Sequence, residues 1–204
     1  MNRGLVNQQL SLNQIGNSLW EYLLVVHPDK DVNEKVNVEK NYFYNEYGQK
    51  VAIKTKPHIT LANFLAKEEM EATLIRWIQR VCDYQPKFET ALNNFSGFPP
   101  HTIYLRVQNP QPFKSLVNNL KVIEGFIQSN GCPPVTLITS PHMTIARRLP
   151  SEVYERAIKE YASRLFHEMF KVDHLVLIKR KHQFDECKTV NIFPLGSLHN
   201  NLFN

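Results

Sequence analysis

Cysteine is scarce in this chain, and what there is follows no pattern. Cys82, Cys132 and Cys187 are odd in number and widely spaced, which argues against a disulfide framework and a CxxC metal site. No HExxH motif occurs, and no other cluster has the close spacing of three or four zinc ligands. Neither a metal nor a cofactor is therefore expected. No apolar run approaches the ~20 residues that a membrane-spanning helix needs. Met1 to Leu19 is polar, with Asn and Gln where a signal peptide carries its apolar block. Low-complexity segments and flexible linkers are also missing. These absences point to a soluble, cytoplasmic, non-exported protein that does not engage a membrane. Nothing in the sequence sets its oligomeric state, and a monomer suffices.

The chain has 204 residues, 43% hydrophobic and 11% aromatic, which suits one globular unit with a sizeable core. Its net charge of +5 is a mild excess that favours an anionic ligand such as RNA or a nucleotide. Leu19 to Val26 reads as a buried strand stopped by His27-Pro28-Asp29. Asp31 to Tyr47 reads as a helix or helix plus loop ending at Gly48, and Val51 to Phe64 as a turn and a strand. Glu68 to Val81 carries apolar residues at helical spacing. Phe88 to Phe95 and Thr102 to Val107 suggest a hairpin. The second half reads as a helix over Phe113 to Ile127, a strand over Met143 to Ala146 and a helix from Pro150 to about Phe170. A strand pair over Val172 to Ile178 and Thr189 to Phe193 closes it.

Two tetrapeptides stand out, His58-Ile59-Thr60-Leu61 and His142-Met143-Thr144-Ile145. Each follows a proline, and 84 residues separate the histidines. The same shift takes Leu74 to Ile158, Trp77 to Tyr161, Val81 to Leu165, Phe88 to Val172 and Leu92 to Val176, which suggests a tandem repeat. The expected fold is α+β, with two pseudo-twofold-related lobes at roughly 19–100 and roughly 101–195. Each lobe is an antiparallel or mixed sheet with outer helices, and a central cleft lies between them.

On a strand, the His and Thr of each tetrapeptide share one face while Ile59 and Leu61, or Met143 and Ile145, enter the core. An HxS/T triplet is expected less than once among eight histidines, yet two occur with matching flanks. In-line displacement at phosphorus needs a base and an acid on opposite sides, and imidazole titrates near neutrality. Thr60 and Thr144 can hydrogen-bond the non-bridging oxygens. A lone strand histidine would be read as a core residue, but two in register favour catalysis by His58 and His142. Arg147 and Arg148 follow the second motif and are candidate phosphate binders, because arginine suits bidentate phosphate contact. Arg148 has the parity of His142 and Thr144 in a regular strand, and a bulge after Ala146 would alter that.

The paired motifs resemble the 2H phosphoesterase superfamily, and within it the 2′-5′ RNA ligase and RNA 2′,3′-cyclic phosphodiesterase group. HMTIARRL is similar to that group's HxTLAR pattern, so Arg147 matches its arginine; PHITLANF is similar to its HxTLxF pattern. The resemblance implies His58 and His142 as the acid-base pair and Thr60 and Thr144 as phosphate binders. It also implies RNA ends or nucleotide phosphodiesters as substrates, for cyclic-phosphate or 2′-5′ hydrolysis with ligation as the reverse sense. Two rival functions remain: a non-catalytic RNA- or nucleotide-binding module, and a phosphodiesterase for a non-RNA substrate. Phe64 reads as a buried aromatic, Lys179, Arg180 and Lys181 as candidate steering charges, and His182 as a weak cleft candidate. His27, His101, His167, His174 and His199 read as structural or surface residues.

Overall fold

The computed structural model describes residues 19–182 and 185–196. The polar residues before Leu19, the Asn-rich tail and His199 lie outside them. The elements in chain order are β1 (Leu19–Val26), α1 (Lys30–Tyr47), β2 (Ile59–Lys67), α2 (Glu71–Tyr84), β3 (Phe88–Phe98), β4 (Thr102–Val107) and α3 (Gln111–Asn119). They continue with α4 (Val122–Ser129), β5 (Thr136–Leu137), β6 (His142–Arg147), α5 (Ser151–Tyr161), β7 (His167–Val172), β8 (His174–Arg180) and β9 (Lys188–Pro194).

The strands form one antiparallel sheet in the order β7-β3-β4-β6-β2-β1-β8-β9, with β5 alongside β2. The fold is thus α+β. Every helix contributes buried side chains to one continuous core, including Phe43 of α1, Leu74 of α2, Leu116 of α3, Ile123 of α4 and Tyr161 of α5. They meet Leu61, Phe64, Leu105 and Met143 from the sheet. Leu23, Val25 and Val176 form a small separate cluster. This fits strand alternation, because their neighbours Tyr22 and Leu24 belong to the main core.

Local chemistry explains most of the boundaries. Asp29 caps α1 by accepting from the Val32 N–H at 2.9 Å, and Gly48 ends it in the left-handed region at φ 67°. The whole of Lys30–Tyr47 is helical. Its buried stripe is Val32, Val36, Lys40 and Phe43, and the lysine in that stripe hides the apolar period. Between α1 and β2 a short 3₁₀ turn occupies Lys50–Ala52, so β2 begins only after Pro57 and His58.

Three expectations need correction. The helix over Phe113 to Ile127 is two helices, parted after Asn118 and Asn119, which are poor helix formers. The helix from Pro150 stops at Tyr161, and residues up to Phe170 do not continue it. Instead β7 alternates, burying Phe170 and Val172, and pairs with β3 along Phe88↔Val172 to Asn93↔His167. Phe88 and Val172 are partners across one ladder, and Leu165 is a loop residue 86% exposed.

The lobe boundary near residue 100 is the third. The hairpin-linked β3 and β4 pair with each other, and β7 adds to the other edge of β3. Only Asp173 separates β7 from β8, too little for a hairpin turn, and the chain runs on to pair β8 with β1. The sheet halves are β7-β3-β4-β6, which comes from the middle of the chain, and β2-β1-β8-β9, which joins its first two strands to its last two.

Truncating Phe43, which is fully buried, should cost about 3–5 kcal/mol, whereas Leu165→Ala should stay within ~0.5 kcal/mol. Urea unfolding of the two variants checks both values.

Candidate active site

The two sheet halves meet between β2 and β6 through one ladder pair, Ile59 opposite Met143. Both side chains are fully buried. Extending this antiparallel register by one residue each way sets His58 opposite Thr144 and Thr60 opposite His142. By alternation, those four side chains share the face away from the helices. The structure therefore brings the two predicted motifs together as a crossed pair.

Each histidine is held in the same way. The Nδ1–H of His58 donates to the Lys56 carbonyl at 2.7 Å, and that of His142 to the Ser140 carbonyl at 2.8 Å. A carbonyl only accepts, so Nδ1 carries hydrogen in both rings. The Nε2 atoms are left to exchange protons with a ligand.

The backbone repeats too. Leu24 pairs with Ala62 and Val25 with Thr60, leaving Leu61 as an extra residue in β2. Ile103 pairs with Ala146 and Tyr104 with Thr144, leaving Ile145 as an extra residue in β6. Each is a β-bulge directly after the motif threonine. The bulge reverses the parity that favoured Arg148. Arg147 pairs with Thr102, two residues from Tyr104, and so returns to the Thr144 face. Arg148 follows the strand at φ 56°, where the chain turns away. Asn63 holds the corresponding place in β2, which the sequence reading missed. Its side-chain N–H donates to Glu21 Oε1 at 3.1 Å. Burial by itself raises the Glu21 carboxyl, but hydrogen bonds from Arg180 and Asn63 outweigh it and hold it low.

The surroundings of the two histidines differ. His142 lies against aromatic rings, with Phe98 at 4.9 Å and Tyr104 at 5.1 Å between ring centroids. His58 has His27 at 6.2 Å and feels the charges of Lys40 and Arg147. Burial lowers the pKa of His142. Burial, joined by those neighbouring cations, pushes His58 down to about 4. Lys40, like Phe98 and Tyr104, is a further residue the sequence reading missed. It is only 2% exposed, donates to Thr55 Oγ1 at 3.3 Å, and is pushed down to about 8, chiefly by burial.

The remaining candidates fall elsewhere. Phe64 is buried and stacks on Tyr22. Lys179 pairs with Glu68 and Glu71, and Arg180 with Glu21, so these charges belong to ion pairs. Lys181 donates to the Leu19 carbonyl at 3.3 Å. The His182 N–H donates to Asp185 within a local turn. His27 donates to the Pro57 carbonyl at 2.8 Å, bracing the segment that presents His58. Among the described residues no three His, Cys, Asp or Glu side chains gather as a metal site, and no helix is long and apolar enough to cross a membrane.

Residues 28–183 match the family model described as the 2′-5′ RNA ligase superfamily, well over half of the chain. The chain belongs to the 2′-5′ RNA ligase superfamily, of the 2H phosphoesterase type. No curated protein matches the sequence. Among solved structures the superfamily member is similar to TT0787 of Thermus thermophilus, at 18% identity and a TM-score of 0.67, over 86% of this chain and 98% of that one. It is also similar to E. coli LigT complexed with 3′-AMP, at 16% identity and 0.62, over 87% and 98%. The MHV ns2 PDE domain follows at 16% and 0.54, over 78% and 99%. At such identities these likenesses establish the fold.

The shift at His58 has a consequence for stability. The unfolded chain binds this proton below about 6.5 and the folded chain only below about 4. Between those values the unfolded state holds more protons, so stability is full above the window and falls as pH drops through it. His58→Gln should remove roughly 1–2 kcal/mol of that dependence, allowing for screening of a half-buried ring. Denaturation at about pH 7.5 and about pH 5 reads the difference. Lys40→Met should move the His58 titration upward by removing a nearby cation, which an NMR titration of the ring protons measures.

Proposed function

We propose that this protein is a metal-independent phosphodiesterase acting on 2′,3′-cyclic phosphates or 2′-5′ linkages of RNA or nucleotides. The observation that carries the reading is the crossed pair of His-x-Thr segments around Ile59 and Met143. It puts two imidazoles with matching Nδ1 anchors on one open face, each across from a threonine hydroxyl.

His58 is the more strongly depressed of the two and stands neutral, which suits the base. Its Nε2 takes the proton of the attacking water as the water oxygen bonds to phosphorus. His142 is the better proton carrier, because no neighbouring cation adds to its burial. Once an anionic phosphate favours its protonated form, it donates from Nε2 to the leaving ribose oxygen as the P–O bond breaks. Thr60 and Thr144 donate to the non-bridging oxygens, and the Arg147 guanidinium supplies positive charge beside them. With a 5′-hydroxyl in place of water, the same residues would form a P–O5′ bond and break P–O3′ of the cyclic phosphate, releasing the 3′-hydroxyl and joining the ends in a 2′-5′ linkage. The intact motifs favour turnover over a binding-only module. The complex of E. coli LigT with 3′-AMP supports a nucleotide-sized phosphate ester as the ligand class.

Turnover of a 2′,3′-cyclic-phosphate oligonucleotide in EDTA tests the proposal. His58→Ala and His142→Ala should each lower kcat by about 10²–10⁴-fold. Thr60→Val and Thr144→Val should each cost about 10²–10³-fold. Wild-type turnover with full rates in both histidine variants would refute the assignment.

A further inference from the structure

Two surface cavities adjoin outside the crossed motifs. One of about 370 Å³ is lined by Lys114, Lys121, Thr139 and Ser140 among others. Ser140, whose carbonyl anchors His142, also belongs to the wall of this cavity. The other, of about 680 Å³, lies between α2 and the α3–α4 junction and is lined by Arg76, Trp77, Arg80 and Tyr84 among others. Asn118 lines the first and Asn119 the second, and Lys121 and Val122 divide in the same way. The two cavities therefore flank the start of α4 and together mark one candidate path.

The chemistry of that path is uniform. Helix α2 buries Leu74, Ile78 and Cys82, which leaves Arg76, Trp77, Arg80 and Tyr84 on its outer side. Trp77 is 39% exposed and Tyr84 63%, unusual for rings of that size. The indole is braced from beneath by Phe126 of α4, stacked at 6.2 Å and 22° between planes. Its accessible surface is thus a rigid platform. Arg76 bonds only Thr73, and Arg80, Lys114 and Lys121 have no ion-pair partner among the described residues. Cations without counter-charges alternate with open aromatic rings, which is the composition that tracks a single-stranded nucleic acid. A docked protein would meet a row of uncompensated charge at the centre of its interface, where charged residues are depleted.

We propose that this path is a second binding site for single-stranded RNA, on the helical side of the sheet. Lys114, Lys121, Arg76 and Arg80 contact successive phosphates, and bases stack on Trp77 and Tyr84. The proposal deepens the catalytic reading by making a polymer the preferred substrate, but the binding itself does not rest on turnover.

The test uses the full chain and a 2′-O-methyl oligonucleotide of roughly 12 residues, which has no free 2′-hydroxyl to react. Wild type should bind it, measured by fluorescence anisotropy, with affinity falling as salt rises. Arg76→Gln with Arg80→Gln should lower the slope of log K against log salt by about 1.4. Tyr84→Ala and Trp77→Ala should each weaken binding by about tenfold or more. The exposed arginine pair and Tyr84 guard against a folding defect at Trp77. On cyclic-phosphate substrates, the arginine variant should raise KM for an oligonucleotide about tenfold or more and leave a mononucleotide unaffected. Absence of oligonucleotide binding by wild type, or unchanged binding by the arginine and aromatic variants, overturns the proposal. An equal loss on mononucleotide and oligonucleotide does so as well. If nothing is turned over but binding changes as stated, the catalytic reading fails and this one stands.

Discussion

The pairing of Ile59 with Met143 joins the two four-strand halves of the sheet. Both side chains are driven into the core by the hydrophobic effect, and burying them turns their neighbours outward. Because a strand alternates with a period of two, one buried pair determines the direction of four polar residues. A slip by one residue would send His58, Thr60, His142 and Thr144 into the apolar core, where unpartnered polar groups are costly. The site is thus a by-product of how the core closes.

The paired bulges add a second constraint. Each inserts one residue after the motif threonine, which lets two successive apolar residues, Leu61-Ala62 and Ile145-Ala146, both stay buried. The chain returns to the open face one residue early, at Asn63 and at Arg147. One half so presents a neutral amide tied to Glu21 and the other a guanidinium. Together with the aromatic setting of His142 and the cationic setting of His58, this makes a backbone of near-twofold symmetry carry two chemically unequal ends. Acid and base roles need that inequality.

Much of the site is legible in the sequence because it is local. A proline, an alternating tetrapeptide and a duplicated histidine are visible without any tertiary contact. Helix α1 reads ambiguously because Lys40 sits in its buried stripe, and no sequence pattern announces a buried lysine. Strand β7 reads as helix because Ser151–Tyr161 runs straight toward it with continued helical spacing. Its strand character comes from the β3 edge that it completes. The repeat is plainest at the motifs and the bulges, which recur after each motif threonine.

The sequence by itself determined the two His-Thr strands, their apolar backing, the end of α1 at Gly48 and the α+β class, because each depends on residues a few positions apart. Only the tertiary structure decided which strands share a sheet half, that Arg147 and not Arg148 returns to the histidine face, and that Lys40, Asn63, Phe98 and Tyr104 surround the site. Those outcomes depend on pairings between residues tens of positions apart. Such pairings are chosen by connection length and by burial of the whole core, which no local pattern records.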